Sequence, residues 1–252
     1  MGSDSVTPFG GFEQSELATR WGVPRVLWRD QVGSTLDLGH QLASDGAADG
    51  TIILADEQVQ GRGRHGKPWV SGRGTGVWLT LLIRQNDPGD LGVLSLRVGM
   101  AVAQSIPGAG PHVKLKWPND IILHDKKLGG VLCEARWGGT TLDWVAVGVG
   151  INVHGPLPDE LREVAIAADE VLNGISRLAV LDELVPALRW LPRAPKLSPN
   201  ERDQFQSRDW LWGRELKEPV GGIARGVEPD GALLVETERG VERLVGGTIV
   251  TA

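Results

Sequence analysis

The sequence has few of the residues that build disulfide-stabilised, metal-caged or membrane-spanning proteins. One cysteine, Cys133, occurs among 252 residues, which excludes an intramolecular disulfide and a cysteine-based metal cage. No apolar run approaches the roughly 18 residues of a membrane span, and the N-terminus lacks the basic and apolar segments of a signal peptide. Tyrosine is absent and tryptophan occurs 10 times, so stacking must come mainly from indoles. We therefore expect a cytoplasmic protein with no membrane partner.

The charge balance is acidic, with 26 Lys and Arg against 32 Asp and Glu, a formal net charge of −6. Such a balance argues against a dedicated nucleic-acid binder. The first strand-like segment begins at Val26, which leaves too little chain before it for a helical DNA-binding module. We expect no DNA partner. Basic islands at 62–67 and 112–127 suit a small anionic ligand better than a polyanion.

The stretch 61–69 reads Gly-Arg-Gly-Arg-His-Gly-Lys-Pro-Trp, and we refer to it as the glycine-rich loop. Its glycines leave the backbone free to reach positive φ and to lie against a ligand. Arg62, Arg64 and Lys67 stand between them, with no acidic residue in the loop to neutralise them. Guanidinium groups and backbone N–H donors together suit a phosphate or carboxylate. The alternative is a solvated basic loop without a ligand.

The glycine-rich loop is not a P-loop, although its spacing matches the start of one. Gly66-Lys67 is followed by Pro68, where a P-loop has the Ser or Thr that binds Mg²⁺. Proline has no hydroxyl for the metal and no N–H for a phosphate. The residues that follow lead into an extended apolar run and not into a helix.

Hydrophobic periodicity predicts a mixed α/β domain. Strands are expected at 26–32, 51–55, 77–83, 112–117, 121–123, 127–132 and 141–153. Helices are expected at 15–21, after an N-cap at Ser34 with Asp37 in capping-box spacing, and at 91–106 with Asp90 as its cap. The pattern is also helical within 156–190, where Ser176 is the candidate N-cap of a second helix that Pro186 should kink or divide. Ser34 either caps this helix alone or also helps to bind a polar ligand.

Two strands carry patterns that suggest close approach of a ligand. Gly148 and Gly150 lie on one face of the 141–153 strand, which is weakened unless something fills the space. A bound ligand would fill it. Lys127 is followed at once by Leu128-Gly129-Gly130, where missing side chains would let a ligand approach the strand, although a surface lysine is more often simply solvated.

The C-terminal part reads as a separate small β domain. A proline-rich stretch at 192–199 resembles a linker, and short strands and turns follow from about Trp210. We predict a catalytic domain at 1–205 and a small barrel at 206–252.

These motifs together resemble those of biotin protein ligases, the biotin–acetyl-CoA-carboxylase ligases, in the short form without an N-terminal DNA-binding domain. The resemblance runs from about Val26 to the C-terminus, and its most specific motifs are the glycine-rich loop and Lys116-Trp117-Pro118-Asn119-Asp120. It implies an α+β catalytic domain like that of class II aminoacyl-tRNA synthetases, with a mixed sheet flanked by helices. It also implies an SH3-like C-terminal barrel.

The activity that the resemblance implies is a two-step acyl transfer. The carboxylate of biotin attacks the α-phosphate of Mg-ATP to give biotinyl-5′-AMP, and a lysine of a biotin carboxyl carrier domain then takes the biotin as an amide. The implied partners are biotin, ATP with its Mg²⁺, and the carrier domain of a carboxylase. No metal site of the protein's own is implied, and we expect a monomer or weak homodimer.

The resemblance also assigns roles to residues of this chain. The implied biotin-binding residues are Ser34, Thr35, Leu36, Gln58, Gly61, Arg62, Gly63, Arg64, Trp69, Lys127, Gly148 and Gly150. The implied ATP- and adenylate-binding residues are Arg62, Arg64, Lys116, Asn119, Lys127 and Asn152. The implied catalytic residues are Lys127, Arg62, Arg64 and Asp120. Leu36 departs from the asparagine that the family often has, and Lys67-Pro68 departs from the more usual arginine followed by a variable residue.

Three alternatives compete with this interpretation. A lipoate or octanoate ligase shares the architecture and the acyl-adenylate chemistry, but needs no ureido-binding Ser-Thr and Gln set. A biotin-sensing repressor that also ligates is disfavoured by the acidic charge and the short N-terminus. A non-catalytic binding module is disfavoured because three cations exceed what retention of biotin requires.

Overall fold

The computed structural model describes residues 8–84 and 91–252. Its helices are α1 (Gln14–Trp21), α2 (Thr35–Ser44), α3 (Leu91–Gln104), α4 (Arg177–Arg189) and α5 (Pro199–Arg208). Its first seven strands are β1 (Val26–Val32), β2 (Ile52–Gln58), β3 (Gly76–Ile83), β4 (Val113–Lys116), β5 (Asp120–Leu123), β6 (Lys126–Gly138) and β7 (Thr141–Asn152). The remaining strands are β8 (Glu215–Glu218), β9 (Gly222–Val227), β10 (Leu233–Thr237), β11 (Gly240–Leu244) and β12 (Val250–Thr251).

The larger sheet has seven strands in the order β1-β2-β3-β7-β6-β5-β4. Strands β1 and β2 are parallel, and the other neighbouring pairs are antiparallel. All eight residues of β3 are buried, as expected for a strand covered on both faces. The predicted mixed sheet is confirmed.

Helices cover both faces of this sheet and divide the core in two. The larger cluster contains the apolar faces of α3 and α4, and the smaller one packs Leu36 and Ala43 of α2 against Ile53, Leu82 and Ala146. α2 packs only in the smaller cluster, because its short apolar stripe buries a single face of the helix. The start of α2 therefore lies over the middle of β7.

The central hairpin of β6 and β7 sets the register of the site. Gly130 lies opposite Gly150, Leu132 opposite Gly148, and Glu134 opposite Ala146. Because side chains alternate along a strand, Gly130, Leu132 and Glu134 share one face of β6. This face continues across β7, beneath the start of α2.

The proline-rich connection between α4 and α5 is fixed by a buried arginine. Arg97 of α3 donates to the carbonyl oxygens of Ala194 and Lys196 at 2.6 and 2.9 Å. Its Nε donates to Glu201 at 2.6 Å, and its side chain is fully buried. This part of the predicted linker is therefore held against α3 by hydrogen bonds that satisfy the buried charge.

The C-terminal strands form a second sheet of five strands in the order β11-β10-β9-β8-β12. The predicted small β domain is confirmed, and the boundary between residues 205 and 206 stays a prediction. The contacts that join the domains include two hydrogen bonds of 2.9 Å, from Trp117 Nε1 to the Gly231 carbonyl and from the Trp210 N–H to the Leu115 carbonyl.

Several local predictions were wrong. The segment 153–175 contains two short 3₁₀ turns, Asp159–Leu161 and Ala168–Glu170, in place of the predicted helical structure. The predicted N-cap at Ser176 is confirmed, and α4 begins directly after it. Prolines and glycines near 155–158 and at 174 interrupt the helical pattern. Pro186 does not divide α4, which runs through it as one helix. The predicted cap at Asp90 lies outside the described residues. Within the described ranges, no helix combines the length and the apolar character that a membrane span requires.

Candidate active site

A cavity of about 660 Å³ opens where α2, the glycine-rich loop and the β6–β7 hairpin meet. This volume lies within the range of small-molecule sites. The predicted site residues that line it are Ser34, Thr35, Leu36, Gln58, Arg62, Gly63, Arg64, Trp69, Lys116, Asn119, Asp120, Lys127, Gly148, Gly150 and Asn152. Gly61 was also predicted and does not line it. The loop that contains Thr248 brings the C-terminal domain to the cavity wall.

The glycine-rich loop folds back on itself as a small hairpin. Trp69 N–H donates to the Gly61 carbonyl at 2.8 Å, and Gly63 N–H donates to the Lys67 carbonyl at 2.7 Å. Pro68 lies between these two bonds and opposite Arg62, and the two residues form a non-hydrogen-bonded pair of the hairpin. Pro68 therefore costs the hairpin no hydrogen bond.

The loop glycines serve purposes that differ from the predicted one. A Cβ on Gly61 would lie 2.4 Å from the Trp69 carbonyl oxygen, so this position needs glycine for space. Gly63 is extended, with φ −106°. Positive φ occurs only at the tip of the loop, at His65 (57°) and Gly66 (70°). Of the three glycines, only Gly66 uses the freedom to reach positive φ that glycine provides.

Gly148 and Gly150 leave room for two side chains of the protein itself. A Cβ on Gly148 would lie 3.0 Å from the Leu36 side chain, and a Cβ on Gly150 would lie 2.6 Å from Nε1 of Trp69. Leu36 and Trp69 occupy the space next to these glycines, and both side chains also line the cavity. The two glycines line the cavity as well, so that a bound ligand contacts them stays a prediction.

The polar end of the cavity is organised around Gln58. Its Oε1 accepts from the N–H and the hydroxyl of Thr35 at 2.8 and 3.0 Å, and its Nε2 donates to the Ser71 hydroxyl at 2.8 Å. The Thr80 hydroxyl donates to Thr35 in turn. Gln58 and Thr35 therefore hold each other rigidly, and one N–H of the Gln58 amide remains for a ligand.

Ser34 is the N-cap of α2, but without the predicted capping box. Its hydroxyl oxygen accepts from the Leu36 N–H at 3.3 Å. Asp37, predicted to complete the box, contacts Arg62 instead. The Ser34 hydroxyl hydrogen is not needed for the cap, so the buried Ser34 can also donate to a ligand.

Lys127 and Asp120 form an ion pair on the cavity wall, with 2.6 Å between Nζ and Oδ1. The ammonium also lies 5.3 Å from the centre of the Trp69 ring, in cation–π geometry. Gly130 adds no bulk beside Lys127, because a Cβ there would lie 3.5 Å from the Lys127 Cε. The lysine is therefore placed by a carboxylate and an indole while its head group stays on the cavity.

Arg64 connects three parts of the chain. Its NH1 donates to Asn119 Oδ1 and to the Gly247 carbonyl of the C-terminal domain, both at 3.1 Å. Asn119 is itself fixed by a bond from Nδ2 to the Val131 carbonyl at 2.9 Å. Predicted as an ATP ligand, Asn119 acts in this structure as a brace for Arg64.

Arg62 is neutralised by two acidic residues from outside its loop. Glu134 receives bonds from NH2 and Nε at 2.8 and 3.2 Å, and Asp37 receives one from NH1. The hydrogen bond with Glu134 is the largest cause of a raised pKa at Arg62, against which burial acts. The loop itself has no acidic residue, and the two acids that neutralise Arg62 come from distant parts of the sequence.

Two further predicted residues, Lys116 and Asn152, also line the cavity. Lys116 stands 5.1 Å from the centre of the Trp210 ring, and burial lowers its pKa. Arg214 stacks on the same indole at 3.9 Å. Asn152 is buried and donates to the Ile166 carbonyl at 3.3 Å. Trp210 and Arg214 were missed, since nothing in their local sequence indicates that the C-terminal domain reaches Lys116.

Asp209 lies at the junction of the domains, and burial raises the pKa of its carboxyl group. The stability of the protein should therefore depend on pH through this residue. Burial raises the pKa of Asp209 from its ordinary value of 3.8 to about 6, although the N–H groups of Leu211 and Trp212 lower it in part. The folded protein therefore binds this proton more tightly than the unfolded chain. The contribution of Asp209 to the free energy of unfolding should therefore rise as the pH falls from above 6 towards 4.

Asp209→Asn removes that penalty. At pH 8 we expect the free energy of unfolding of the variant to exceed that of the parent by about 3 kcal/mol, since the shift from 3.8 to about 6 is roughly two pKa units and each is worth about 1.4 kcal/mol. The difference should shrink through pH 6 and vanish near pH 4. Urea unfolding at these three pH values measures it, and a gain that does not change with pH would contradict the assignment.

The chain matches two family models. Residues 29–152 match the biotin/lipoate A/B protein ligase family, and residues 214–251 match the biotin protein ligase C-terminal domain. The first match contains the glycine-rich loop, Lys127 and the β6–β7 hairpin. The second covers the five-stranded sheet.

Relatives and solved structures agree with these matches. A bifunctional ligase/repressor of Bacillus spizizenii is 30% identical over 93% of this chain and 78% of its own length. A biotin–[acetyl-CoA-carboxylase] ligase of Mycobacterium tuberculosis is 32% identical over 82% of this chain and 81% of its own. The biotin protein ligase of Aquifex aeolicus, solved with biotin and ATP, superimposes with a TM-score of 0.74 at 27% identity over 90% of this chain and 98% of its own.

Proposed function

The chain belongs to the biotin protein ligase family, and from that premise we propose that its cavity joins biotin to ATP and then to a carrier lysine. In the first step the biotin carboxylate attacks the α-phosphorus of ATP and releases pyrophosphate, which leaves biotinyl-5′-AMP. In the second step a lysine amine attacks the acyl carbon. The C–O bond breaks, AMP leaves, and one proton is lost from the amine.

One observation carries the residue assignments. A single cavity is lined both by a rigid polar set, Ser34 with Thr35 and Gln58, and by the cations Arg64 and Lys127. The polar set matches a neutral head group that offers and accepts hydrogen bonds. The cations match the carboxylate and the phosphate that must approach each other.

Biotin's ureido group would bind at the polar end. The Ser34 hydroxyl and the remaining Gln58 N–H are the donors that the internal hydrogen bonds leave for its carbonyl oxygen. Leu36, held on Gly148, would pack against the rings and offer no side-chain hydrogen bond where the family often has asparagine. Trp69, held on Gly150, would cover the valeryl chain.

The first step brings two anions together, and Lys127 and Arg64 would make this possible. Lys127 Nζ would exchange its contact with Asp120 for oxygens of the carboxylate and the α-phosphate. Its positive charge then counters the negative charge that develops between them. Arg64, already on the cavity wall and braced by Asn119 and Gly247, would bind the α-phosphate. Mg²⁺ would arrive with ATP and stay with its phosphates.

The second step needs an unprotonated amine beside the mixed anhydride. Asp120 would orient the incoming lysine or take its proton, since its carboxylate lies beside Lys127 on the cavity wall. Lys116 and Asn152 would lie near the nucleotide. A carrier domain of a carboxylase is the proposed source of the lysine, and we place the reaction in the cytoplasm with the protein as a monomer or weak homodimer. The absence of a DNA partner stays a prediction.

The experiment is incubation of the protein with ATP, Mg²⁺ and biotin, followed by mass spectrometry for the adenylate. We expect biotinyl-5′-AMP, and no adenylate when lipoate or octanoate replaces biotin. A lipoyl adenylate formed in comparable amount would move the chain to the lipoate branch of its family. No adenylate from any of the three acids would contradict the proposal.

A further inference from the structure

Glu134 and two aromatic residues form a hydrogen-bonded chain that ends on Arg62. The Trp144 indole N–H donates to His40 Nδ1 at 2.9 Å, and His40 Nε2 lies 2.9 Å from Glu134 Oε2. Glu134 in turn binds Nε and NH2 of Arg62. Arg62 lines the cavity, and the other three residues do not.

The chemistry of the chain fixes the direction of every proton in it. An indole N–H can only donate, so His40 Nδ1 must accept, and the proton of the neutral imidazole lies on Nε2. Nε2–H therefore points at the Glu134 carboxylate. Hydrogen bonds from Arg62 and His40 outweigh the effect of burial, so the pKa of Glu134 is lowered and it stays charged.

The two carboxylates on Arg62 differ in how firmly they are held. The Glu134 side chain is 29% exposed, has two bonds to the guanidinium and is bound from behind by His40. The Asp37 side chain is 57% exposed and binds NH1 alone. Exposed ion pairs of the second kind contribute little. Glu134 is the partner that can determine where the guanidinium lies.

We infer that Glu134 is a positioning residue for the proposed reaction, which holds the Arg62 guanidinium at the cavity wall and is itself held by His40 and Trp144. The inference rests on the proposed function. The three contacts of Arg62 use three of the five N–H donors of a guanidinium. The remaining two can bind the carboxylate of the acid substrate without loss of the Glu134 contact. A pre-oriented arginine loses less side-chain freedom when that anion binds.

The test uses Glu134→Gln, Arg62→Ala and the double variant, measured by biotin-dependent exchange of pyrophosphate into ATP. Glu134→Gln should raise the KM for biotin about tenfold, the weight of one charge-assisted bond, while kcat changes little. In this role Arg62 binds the carboxylate equally in the ground state and in the transition state. Weakening that contact therefore raises KM and leaves kcat nearly unchanged. The double variant should match Arg62→Ala, since Glu134 acts through Arg62. If the two substitutions multiply each other's effects on KM in the double variant, the inference is wrong. An unchanged KM for biotin in Glu134→Gln would also overturn it.

Controls separate this role from a structural one. A merely structural role would lower the melting temperature and leave the KM of the folded fraction unchanged. Glu236→Gln, which breaks an ion pair with Arg225 in the C-terminal domain, should keep the parent KM. If Glu134→Gln does not fold, Trp144→Phe is measured in its place. Its KM for biotin should rise about threefold. An unchanged KM in that variant would overturn the inference. An inactive parent protein would count against the proposed function instead.

Discussion

Replacement of Lys127 by alanine should stop biotinyl-5′-AMP formation while the protein stays folded. The ammonium is the cation that we place between two anions during the first step. Loss of a preorganised charge of this kind costs on the order of 10³-fold in rate, about 4 kcal/mol. Folding should survive because the side chain is 35% exposed, so its loss creates no core cavity. Biotin-dependent pyrophosphate exchange measures the rate, and far-UV circular dichroism with thermal melting measures the fold.

The neighbouring lysine provides a matched control. Lys126 is half-buried, does not line the cavity and donates to the Arg162 carbonyl at 2.5 Å. Lys126→Ala should keep the exchange rate of the parent. If Lys127→Ala exchanged pyrophosphate at the parent rate, Lys127 would have no part in the chemistry and the site assignment would be wrong.

Arg64→Met should release biotinyl-5′-AMP much faster than the parent protein does. The proposed contact with the α-phosphate is a charge-assisted one, and such bonds contribute about 1.5–3 kcal/mol each. With two such bonds lost, we expect the off-rate to rise by a factor of 10² or more, since about 1.4 kcal/mol corresponds to tenfold. Methionine keeps the length of the stem and removes the charge. Stopped-flow chase of preformed adenylate with excess biotin measures the rate.

Arg73→Met is the control for the loss of an arginine near the loop. Arg73 pairs with Asp56 and Glu57, is 55% exposed on its side chain and does not line the cavity. Its variant should release the adenylate at the parent rate. Equal off-rates in Arg64→Met and the parent would remove Arg64 from the phosphate.

The local sequence pattern was sufficient for most of the fold. Alternation over 141–153 predicted β7 to within a residue, and the N-cap at Ser34 predicted the start of α2. Between 156 and 176 the pattern was misleading. The segment does not form a helix there, and backbone bonds join its residues Val164 and Ile166 to Lys127 at the start of β6. Such pairing depends on tertiary contacts that local periodicity does not report.

The candidate site was predictable as a set of residues and not as a set of contacts. The motifs gave Arg62, Arg64 and Lys127, and all three line one cavity. The partners of Arg62 could not be read from the loop, because Asp37 and Glu134 come from α2 and β6. The alternation of β6 places Glu134 on the face of Gly130. That signal becomes informative only once α2 is known to lie above it.

The most direct test of the central claim follows oxygen from biotin. Biotin labelled with ¹⁸O in both carboxylate oxygens is incubated with ATP, Mg²⁺, the protein and a carrier domain, and the AMP that is released is analysed by mass spectrometry. If the carboxylate attacks the α-phosphorus and the amine then cleaves the acyl C–O bond, each AMP carries one ¹⁸O atom. Unlabelled AMP, or ADP as the product, would contradict the proposed reaction.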